Sequence, residues 1–489
     1  MQITTDEMGR QSRFTSNSAG RLTGIAIPGS TLDATTISYD GSDRVSGVID
    51  ATGSWTYAYS NSSGAVLTTA TGPLGQSIYT ESRNGRIERY RDALNNDTYF
   101  EWTGGRLTTV TYPELNRVSY TYDARGNITQ VVVTAKEDIP LPPTITTSAA
   151  YPATCANPVT CNLPTSTTDP LGRVTDYTWD ATHGGLLSVT GPAPTSGATR
   201  PQTRITYGQR HAWYRNYLGA MVQDPRAVTL PVETSACAVG TFAQCDGTAD
   251  EVIQTVTYQA GSSSPDGLSN LLPVTTTAGS GATPSMASTA TTWNNRGDPE
   301  VVTDPVGAEV RYQYNLGREV IGVIGPDPDG TGPLLNRALS ITRNDLGLPT
   351  LTRQGTTSGY VPSSFAMLQQ AGATYDRYGR ALSQTLSDAT STFSLVQQSY
   401  DAAGRPSCTA VRMNPSTFGA PPTSACDYAT AGAFGPDRIS SVTYDVVSRV
   451  ISATSGHGRP DAITEAVTYT PNGQVQTATD GRGRVTTFW

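Results

Sequence analysis

One short phrase, Tyr-Asp-x-x-Gly-Arg, constrains this chain more than any other feature of its sequence. It is intact at residues 375–380 and 400–405, and a copy that begins at Tyr122 lacks only the Arg. Looser copies begin at Tyr39, Trp179 and Tyr444. The best copies are carried by Tyr122, Asp123, Gly126, Tyr375, Asp376, Gly379, Arg380, Tyr400, Asp401, Gly404 and Arg405. Recurrence of this kind indicates a chain built from repeated structural units.

A second and weaker phrase, Asp-x-x-Gly, falls between these copies. It begins at Asp6, Asp50, Asp169 and Asp304. A ladder of aromatic residues sets the period, with steps of 20, 20, 23 and 20 residues along Tyr39, Tyr59, Tyr79, Trp102 and Tyr122. Two short strands and two turns fit one such step. The sequence therefore predicts an all-β chain of successive antiparallel hairpins with two kinds of turn.

Each position of the phrase has a physical role in a turn. The Asp side chain accepts hydrogen bonds from backbone N–H groups that follow it, and Gly supplies a positive φ. Residues 173–179 and 311–314 alternate with a period of two, so we expect Val or aromatic groups on one face and Thr, Gln or charge on the other. These residues are accordingly predicted to be structural.

Composition favours the same β scaffold. The chain has 48 Gly and 32 Pro, and only 15% of its residues are charged, against roughly 25% in an average globular protein. The one helix candidate is the short stretch 363–373. No apolar run approaches the roughly 20 residues that span a bilayer. An α/β enzyme and a membrane-spanning segment are therefore not expected.

The charges argue against nucleic acid as a partner. The net charge is -8, and Lys136 is the only lysine, so almost every basic residue is an Arg. These Arg residues are dispersed singly, and many follow a turn Gly. A phosphate-binding surface needs basic residues clustered on one face.

Length alone would suggest about three domains for 489 residues. The repeat instead predicts a single continuous array over 1–489, because neighbouring hairpins stabilise one another without an internal boundary. Three stretches interrupt the rhythm and are predicted to be loop insertions, at about 139–168, 222–290 and 406–434.

The six cysteines fall as three local pairs, one within each predicted insertion. The pairs are Cys155 with Cys161, Cys237 with Cys245, and Cys408 with Cys426. Loops without a core of their own gain most from a cross-link, so disulfides are favoured over free buried thiols. That pairing implies an oxidising compartment. Zinc is disfavoured, because no pair has the usual ligand spacing or a neighbouring His in sequence.

Catalytic candidates are scarce. The three histidines, His183, His211 and His457, stand in no recognisable acid–base arrangement. Phosphate loops, nucleophile elbows and zinc-protease motifs are missing. The recurrent Asp residues could be taken for calcium ligands, but their coupling to a following Gly favours turn capping. We predict no catalytic, cofactor-binding or metal site and no enzymatic activity.

The phrase on its 20-residue ladder resembles the tyrosine-aspartate (YD) repeats of bacterial Rhs proteins, a pattern shared with insecticidal toxin complex C subunits and teneurins. The resemblance covers about Thr4 to Trp489 apart from the insertions. It implies a spiralling sheet that forms part of a hollow shell around a toxic C-terminal domain. The Asp-Pro-x-Gly-Leu self-cleavage segment of complete members is missing, and so is a signal peptide. We therefore expect both ends to be cut from a longer polypeptide.

Three functions follow as hypotheses. The first is a structural shell segment of a secreted polymorphic toxin used in competition between bacteria, with the enclosed toxin domain and a secretion-system carrier as partners. The alternative is a cell-surface adhesion module whose exposed Tyr, Trp and Asn bind carbohydrate or protein. An enzyme is the third. The first two place the chain outside the cell or at its surface, and an isolated open wall is expected to self-associate.

Overall fold

The computed structural model describes residues 1–136, 144–261, 271–282, 287–330 and 332–488. Strands dominate it, and helix is confined to α1 (Phe242–Cys245) and two single 3₁₀ turns, at Pro362–Ser364 and Pro415–Thr417. Within the described ranges there is no helix of the length and apolarity needed to cross a bilayer.

The strands are short and evenly distributed along the chain. Those of the N-terminal part are β1 (Gln2–Thr5), β2 (Gln11–Ser16), β3 (Leu22–Ala26), β4 (Thr35–Tyr39), β5 (Val45–Asp50), β6 (Gly53–Ser62), β7 (Ala65–Thr71), β8 (Ser77–Arg83), β9 (Arg86–Arg91), β10 (Asp97–Thr103), β11 (Arg106–Thr111), β12 (Arg117–Tyr122), β13 (Ile128–Thr134), β14 (Ile145–Ala150), β15 (Ser166–Thr168), β16 (Val174–Trp179), β17 (Leu186–Thr190), β18 (Gln202–Arg210), β19 (Trp213–Arg215) and β20 (Met221–Gln223). Those that follow are β21 (Val228–Cys237), β22 (Glu251–Tyr258), β23 (Pro273–Ser280), β24 (Ala287–Trp293), β25 (Pro299–Thr303), β26 (Glu309–Tyr314), β27 (Val320–Ile324), β28 (Asn336–Arg343), β29 (Pro349–Thr357), β30 (Ala366–Tyr375), β31 (Ala381–Ser387), β32 (Thr392–Tyr400), β33 (Pro406–Arg412), β34 (Arg438–Tyr444), β35 (Val450–Ser455), β36 (Ile463–Tyr469), β37 (Val475–Thr479) and β38 (Val485–Thr487).

One meandering antiparallel sheet contains 36 of these strands. Each strand pairs with the next along the chain, except that β18 pairs directly with β21. The skipped strands β19 and β20 form a separate two-stranded hairpin. The all-β hairpin architecture predicted from the repeat is confirmed.

Because neighbouring strands are antiparallel, successive turns alternate between the two edges of the sheet, and the two sequence phrases sort onto different edges. The Tyr-Asp turns, such as 123–126 and 401–404, lie on one edge, which we call the tyrosine edge. The Asp-x-x-Gly turns, such as 6–9 and 169–172, lie on the other, which we call the opposite edge. The two kinds of turn thus distinguish the two edges of one wall.

A β-bulge recurs beside the aromatic residue of the phrase. The pairing of β12 with β13 shifts between Thr121 and Tyr122, and that of β32 with β33 shifts between Ser399 and Tyr400. The same shift precedes Trp179, Trp293 and Tyr444. A bulge bends its strand and increases the local right-handed twist, so regular bulges give the sheet regular curvature.

The curved sheet coils back on itself. Arg10 bonds to Glu319, which is 309 residues further along the chain, and Glu114 bonds to Asn472, which is 358 residues further on. In both cases a turn of the opposite edge meets a turn of the tyrosine edge. One revolution of the coil therefore takes somewhat more than 300 residues.

The exposed surface shows that the wall is thin. The chain exposes 27808 Å², whereas a compact protein of 51.6 kDa would expose about 17,000 Å². Buried apolar side chains are few and mostly small, as in the cluster of Cys408, Ala410, Ala425 and Ile439. The excess surface is that of a single-layered sheet with both faces accessible.

The two faces differ in chemistry. Tyr177 and Trp179 stack on one face with ring centroids 6.2 Å apart. The residue before each aromatic points to the other face, where hydroxyl groups pair across strands, as in Thr178 with Ser188 at 2.7 Å. Val174 lies on this hydroxyl face with Thr178, contrary to the expectation that Val would share the aromatic face. Thr175 likewise shares the aromatic face, so the predicted division fails in residues 173–179 and holds in residues 311–314.

The predicted insertions contain more sheet than expected. Strands β14 and β15 lie within 139–168, β21 to β23 and most of β24 within 222–290, and β33 within 406–434. These strands are rich in Thr, Val and Ala, and only β22 and β24 end in an aromatic residue, Tyr258 and Trp293, so pairing with both neighbours largely decides their structure. Residues 139–143, 262–270 and 283–286 of these insertions lie outside the described residues.

The helix candidate 363–373 was wrong. Its first residues complete the 3₁₀ turn at Pro362–Ser364, and the remainder belongs to β30. Strand β30 pairs with β29 on one side and β31 on the other, and two complete ladders outweigh a weak local helix preference.

Candidate functional site

The Tyr-Asp turn at 401–404 shows what each letter of the phrase does. Asp401 Oδ1 accepts the backbone N–H groups of Ala403 and Arg405, both at 2.9 Å. Gly404 has φ 76° and donates its N–H to the carbonyl of Asp401 at 2.9 Å. Arg405 Nε then donates to Asp401 Oδ2 at 2.7 Å, closing the turn with a salt bridge. Asp376 and Arg380 repeat this arrangement.

The turn carboxylates are stabilised in their ionised form. Partial burial opposes ionisation of Asp401, but hydrogen bonds from the Arg405 side chain and backbone hold its pKa below the usual value. At Asp123 the same opposition is overcome by the side chain and backbone of Asn127. Asn127 therefore takes the role of the missing Arg in this copy.

Sequence reasoning missed the turns in which Asn replaces Asp. Asn294 Oδ1 accepts the N–H groups of Arg296 and Asp298 with the same geometry as an Asp turn. Equivalent turns begin at Asn17, Asn216, Asn315 and Asn344. A search that treated Asn and Asp as one acceptor class would have found them.

The aromatic residue ties each tyrosine-edge turn to the preceding one. Tyr400 donates its hydroxyl to the carbonyl of Ala381 at 2.9 Å, and Ala381 directly follows the previous Tyr-Asp turn. Tyr122 reaches Leu107 in the same way at 2.7 Å. The ring thus crosses one full hairpin on the surface of the sheet.

The arginine extends this tie in the other direction. The Arg380 guanidinium lies 4.7 Å from the centroid of the Tyr400 ring, and Arg405 lies 4.6 Å from that of Tyr444. Such cation–π contacts contribute about 0.5–1 kcal/mol at exposed sites. Asp, Arg and the next Tyr therefore form a relay that runs along the tyrosine edge from one repeat to the next.

A second arrangement forms where the revolutions of the coil meet, which we call the seam. Arg10 Nη1 lies 2.8 Å from Glu319 Oε1, and Arg296 lies 3.1 Å from Glu7. Further along, the backbone N–H of Asn472 donates to Glu114 Oε1 at 3.1 Å.

The seam also includes close backbone approaches. Arg380 Nη1 donates to the carbonyl of Ala51 at 3.3 Å, and the same carbonyl lies against Gly404. A Cβ on Gly53 would stand 2.8 Å from the carbonyl of Ala402. Glycines of both phrases therefore allow the two edges to meet.

Residues 102–137 match the family model described as RHS Repeat. This stretch of the chain is similar to an Rhs repeat. A search of curated proteins found no match. The match spans β11 to β13, and the turn 123–126 of the relay lies inside it.

The fold is similar to part of one solved complex. A crystal structure of TcdB2-TccC3-TEV superimposes with a TM-score of 0.60 at 14% identity, over 98% of this chain and 24% of that one. A Photorhabdus luminescens Tc holotoxin pore gives a TM-score of 0.36 at 13% identity, over 94% and 26%. The chain thus spans about a quarter of the length of these solved chains.

Three disulfides cross-link loops of the wall. They join Cys155 to Cys161, Cys237 to Cys245, and Cys408 to Cys426. The last pair holds loop 413–437 against the sheet, where Arg412 forms a buried salt bridge with Asp437 at 2.7 Å. Burial opposes ionisation of Asp437, but the N–H groups of Ala429 and Met413 together with Arg412 keep its pKa below the usual value.

The structure brings His457 beside Cys408 and Cys426, which their sequence positions did not indicate. Both sulfurs are consumed in the disulfide, so the group holds one free ligand, the imidazole. Among the residues that the structure describes, no other cluster of at least three His, Cys, Asp or Glu side chains has the spacing of a metal site.

The other two histidines occupy separate loops. His183 Nδ1 accepts the N–H of Gly185 at 3.1 Å, and its ring packs edge-on against Tyr207 at 4.8 Å. His211 Nδ1 lies 2.9 Å from the carbonyl of Asp224. An open groove of about 770 Å³ beside His183 is lined mainly by polar residues of β16 to β18 and of the loops and strand that follow.

Proposed function

We propose that this chain is a section of the wall of an Rhs-type shell, one continuous repeat array over 1–489 that encloses a toxic domain of its parent polypeptide. The observation that carries the proposal is the seam. A sheet whose opposite edge docks on its own tyrosine edge after one revolution surrounds a space. The large exposed surface is that of a wall with an inner and an outer face.

The role of the wall in this proposal is mechanical, not catalytic. The predicted structural residues of the Tyr-Asp phrases all serve turns and ties between hairpins. The disulfides suit a protein that is secreted or displayed at the cell surface. Delivery by a secretion-system carrier and use in competition between bacteria belong to the same proposal.

Protease protection tests enclosure directly. The complete parent polypeptide is digested with proteinase K, and its C-terminal region is followed by mass spectrometry beside the same region expressed alone. We expect the C-terminal region to persist in the parent and to be degraded when free. Equal degradation of the two samples would refute enclosure.

A specific observation favours adhesion as a second candidate. The hairpin β19–β20 stands outside the main sheet and exposes Tyr217, Leu218 and Tyr214 at its tip, with Tyr217 95% exposed. Exposed aromatic groups of this kind suit carbohydrate or protein contacts. Glycan-array binding that is selective, and that a Tyr217→Ala change abolishes, would support adhesion; an unchanged binding profile would exclude this hairpin as the site.

A further inference from the structure

The seam differs physically from every other junction in the wall. Neighbouring strands are joined by ladders of backbone hydrogen bonds, for example over nine paired positions between β18 and β21. The revolutions are joined by side chains and isolated carbonyls. Partly exposed ion pairs contribute about 0–1 kcal/mol each. Separating the seam therefore breaks fewer backbone hydrogen bonds than separating two paired strands.

One half of the seam is ionic. Arg10 bridges Asp6 of its own turn and Glu319 of the next revolution, at 2.6 and 2.8 Å. The groups that face Glu319 are Arg10, the Asn315 amide and the Arg343 guanidinium. Partial burial opposes its ionisation, but Asn315 and Arg10 hold the pKa of Glu319 below its usual value.

Two further turns complete this ionic half. Arg296 pairs with Glu7 across the seam, and their side chains are 37% and 67% exposed. Arg318 forms a salt bridge with Asp298 on the tyrosine edge at 2.7 Å. Two carboxylates and two guanidinium groups therefore meet across the seam; the Arg296–Glu7 pair is open to solvent ions, and the Arg10–Glu319 pair is partly exposed.

The other half is a hydrogen-bonded clasp around one turn. The N–H of Glu114 donates to Asn472 Oδ1 at 3.3 Å, and the N–H of Asn472 donates back to Glu114 Oε1 at 3.1 Å. Asn472 Nδ2 donates to Asn116 Oδ1 at 2.8 Å. Lys136 lies 3.7 Å from the second oxygen of Glu114. One carboxylate is again central.

From these contacts we propose that the seam is an acid-opened latch: carboxylate protonation separates the revolutions while the strands stay paired. This inference rests on the proposed function, since it names the place where the shell would open. High salt opens the same latch at neutral pH, because screening at 1 M acts over about 3 Å.

The sign of the pH effect follows from Glu319. Its pKa in the folded chain lies below the ordinary value of 4.5, so its stabilising contribution is present above that value. The contribution is lost as pH falls below about 4.5 and through the lowered value. Asp6, whose pKa is lowered by the Arg10 side chain, behaves in the same way below 3.8. Acid therefore weakens the latch and neutral pH closes it.

The test compares two charge-matched variants at pH 7 and low salt. Glu7→Gln with Glu319→Gln removes both seam carboxylates of the ionic half. Glu101→Gln with Glu465→Gln removes two exposed strand carboxylates away from it. Sedimentation velocity measures compactness and circular dichroism measures retained strand.

We expect the seam variant to sediment more slowly than the control while their β spectra coincide. Acid or 1 M salt should bring the control to the slower value. Identical sedimentation coefficients for the two variants would overturn the proposal. So would a loss of the β spectrum wherever the sedimentation coefficient falls, because the chain would then be unfolding and not opening at the seam.

Amide exchange gives a second measurement on the wild-type chain. The N–H groups of Glu114 and Asn472 are bonded across the seam, whereas that of Leu218 is bonded within its own turn to the amide oxygen of Asn216 at 3.0 Å, which does not titrate. Acid should lower the protection of the first two relative to Leu218 by about two- to fivefold, the range for loss of an exposed ion pair. A constant ratio would count against the latch.

Failure of the latch and failure of the shell are distinguishable. A parent polypeptide that protects its C-terminal region at pH 7 but shows no seam effect would refute only the latch. A parent polypeptide that leaves its C-terminal region unprotected, while the seam variants sediment as expected, would refute enclosure and would not affect the acid-opened latch.

Discussion

Replacing Gly404 with Ala tests whether the two edges meet in solution. Gly404 has φ 76° and lies against the carbonyl of Ala51 in the neighbouring revolution. Gly172 has the same φ of 76°, but a Cβ there would meet nothing within 4 Å. The two glycines therefore share one backbone cost and differ in the seam contact.

The magnitudes can be worked from these environments. An L residue in the left-handed region costs about 1–2 kcal/mol, which both Gly404→Ala and Gly172→Ala incur. The new methyl at 404 must also displace the Ala51 carbonyl and the Arg380 guanidinium, which lies 3.0 Å from the Cβ position. Overpacking of this kind costs about 1–3 kcal/mol. We expect Gly404→Ala to be the more destabilising variant by that second amount.

Urea unfolding followed by circular dichroism measures the difference in the free energy of unfolding between the two variants. Their midpoints can be compared if their m values are equal. Amide exchange at turn 50–53 locates it, because seam disruption should raise exchange there only in Gly404→Ala. Equal destabilisation of both variants within about 0.5 kcal/mol would refute the seam contact.

Three further outcomes are expected. Tyr400→Phe removes the bond to the Ala381 carbonyl and should lower the free energy of unfolding by about 1 kcal/mol in urea titrations, without changing the β spectrum. Asp437→Ala leaves the Arg412 charge buried and should cost about 3–5 kcal/mol, and a cost under 1 kcal/mol would show that loop 413–437 is open to water. The pKa of Asp169 is lowered first by the Arg173 N–H and then by the Arg173 side chain. The contribution of Asp169 to stability is therefore present above pH 3.8 and is lost as the pH falls below that value. In Asp169→Asn, the midpoint temperature of thermal unfolding should fall less steeply in acid than in the wild-type chain.

The hairpins could be predicted from the sequence because their determinants are local. Each turn requires an Asp that accepts N–H groups two and four residues ahead and a Gly with positive φ. Both requirements are met by residues of the same turn, so they appear as a short sequence pattern. The second phrase was also visible, although only the alternation of antiparallel strands explains why it occupies the other edge.

The seam could not be predicted, since its partners are more than 300 residues apart and are ordinary turn residues in sequence. Nothing in the sequence around Asn472 or Glu319 distinguishes either residue from other polar residues of the turns. The strands between 228 and 280 were missed for a related reason. Their Thr-rich sequences have little intrinsic signal and depend on neighbours already in place.

Because successive turns alternate between the two edges, such a wall can change in length only by an even number of strands. Adding one strand would carry every later Tyr-Asp turn to the wrong side, where its arginine would find no ring and its glycine no carbonyl of the adjacent coil. Only pairs of strands preserve the match, and hairpin β19–β20, which leaves β18 joined directly to β21, is an addition of that permitted kind. Growth by whole hairpins would let the circumference vary while the sides stay correctly assigned.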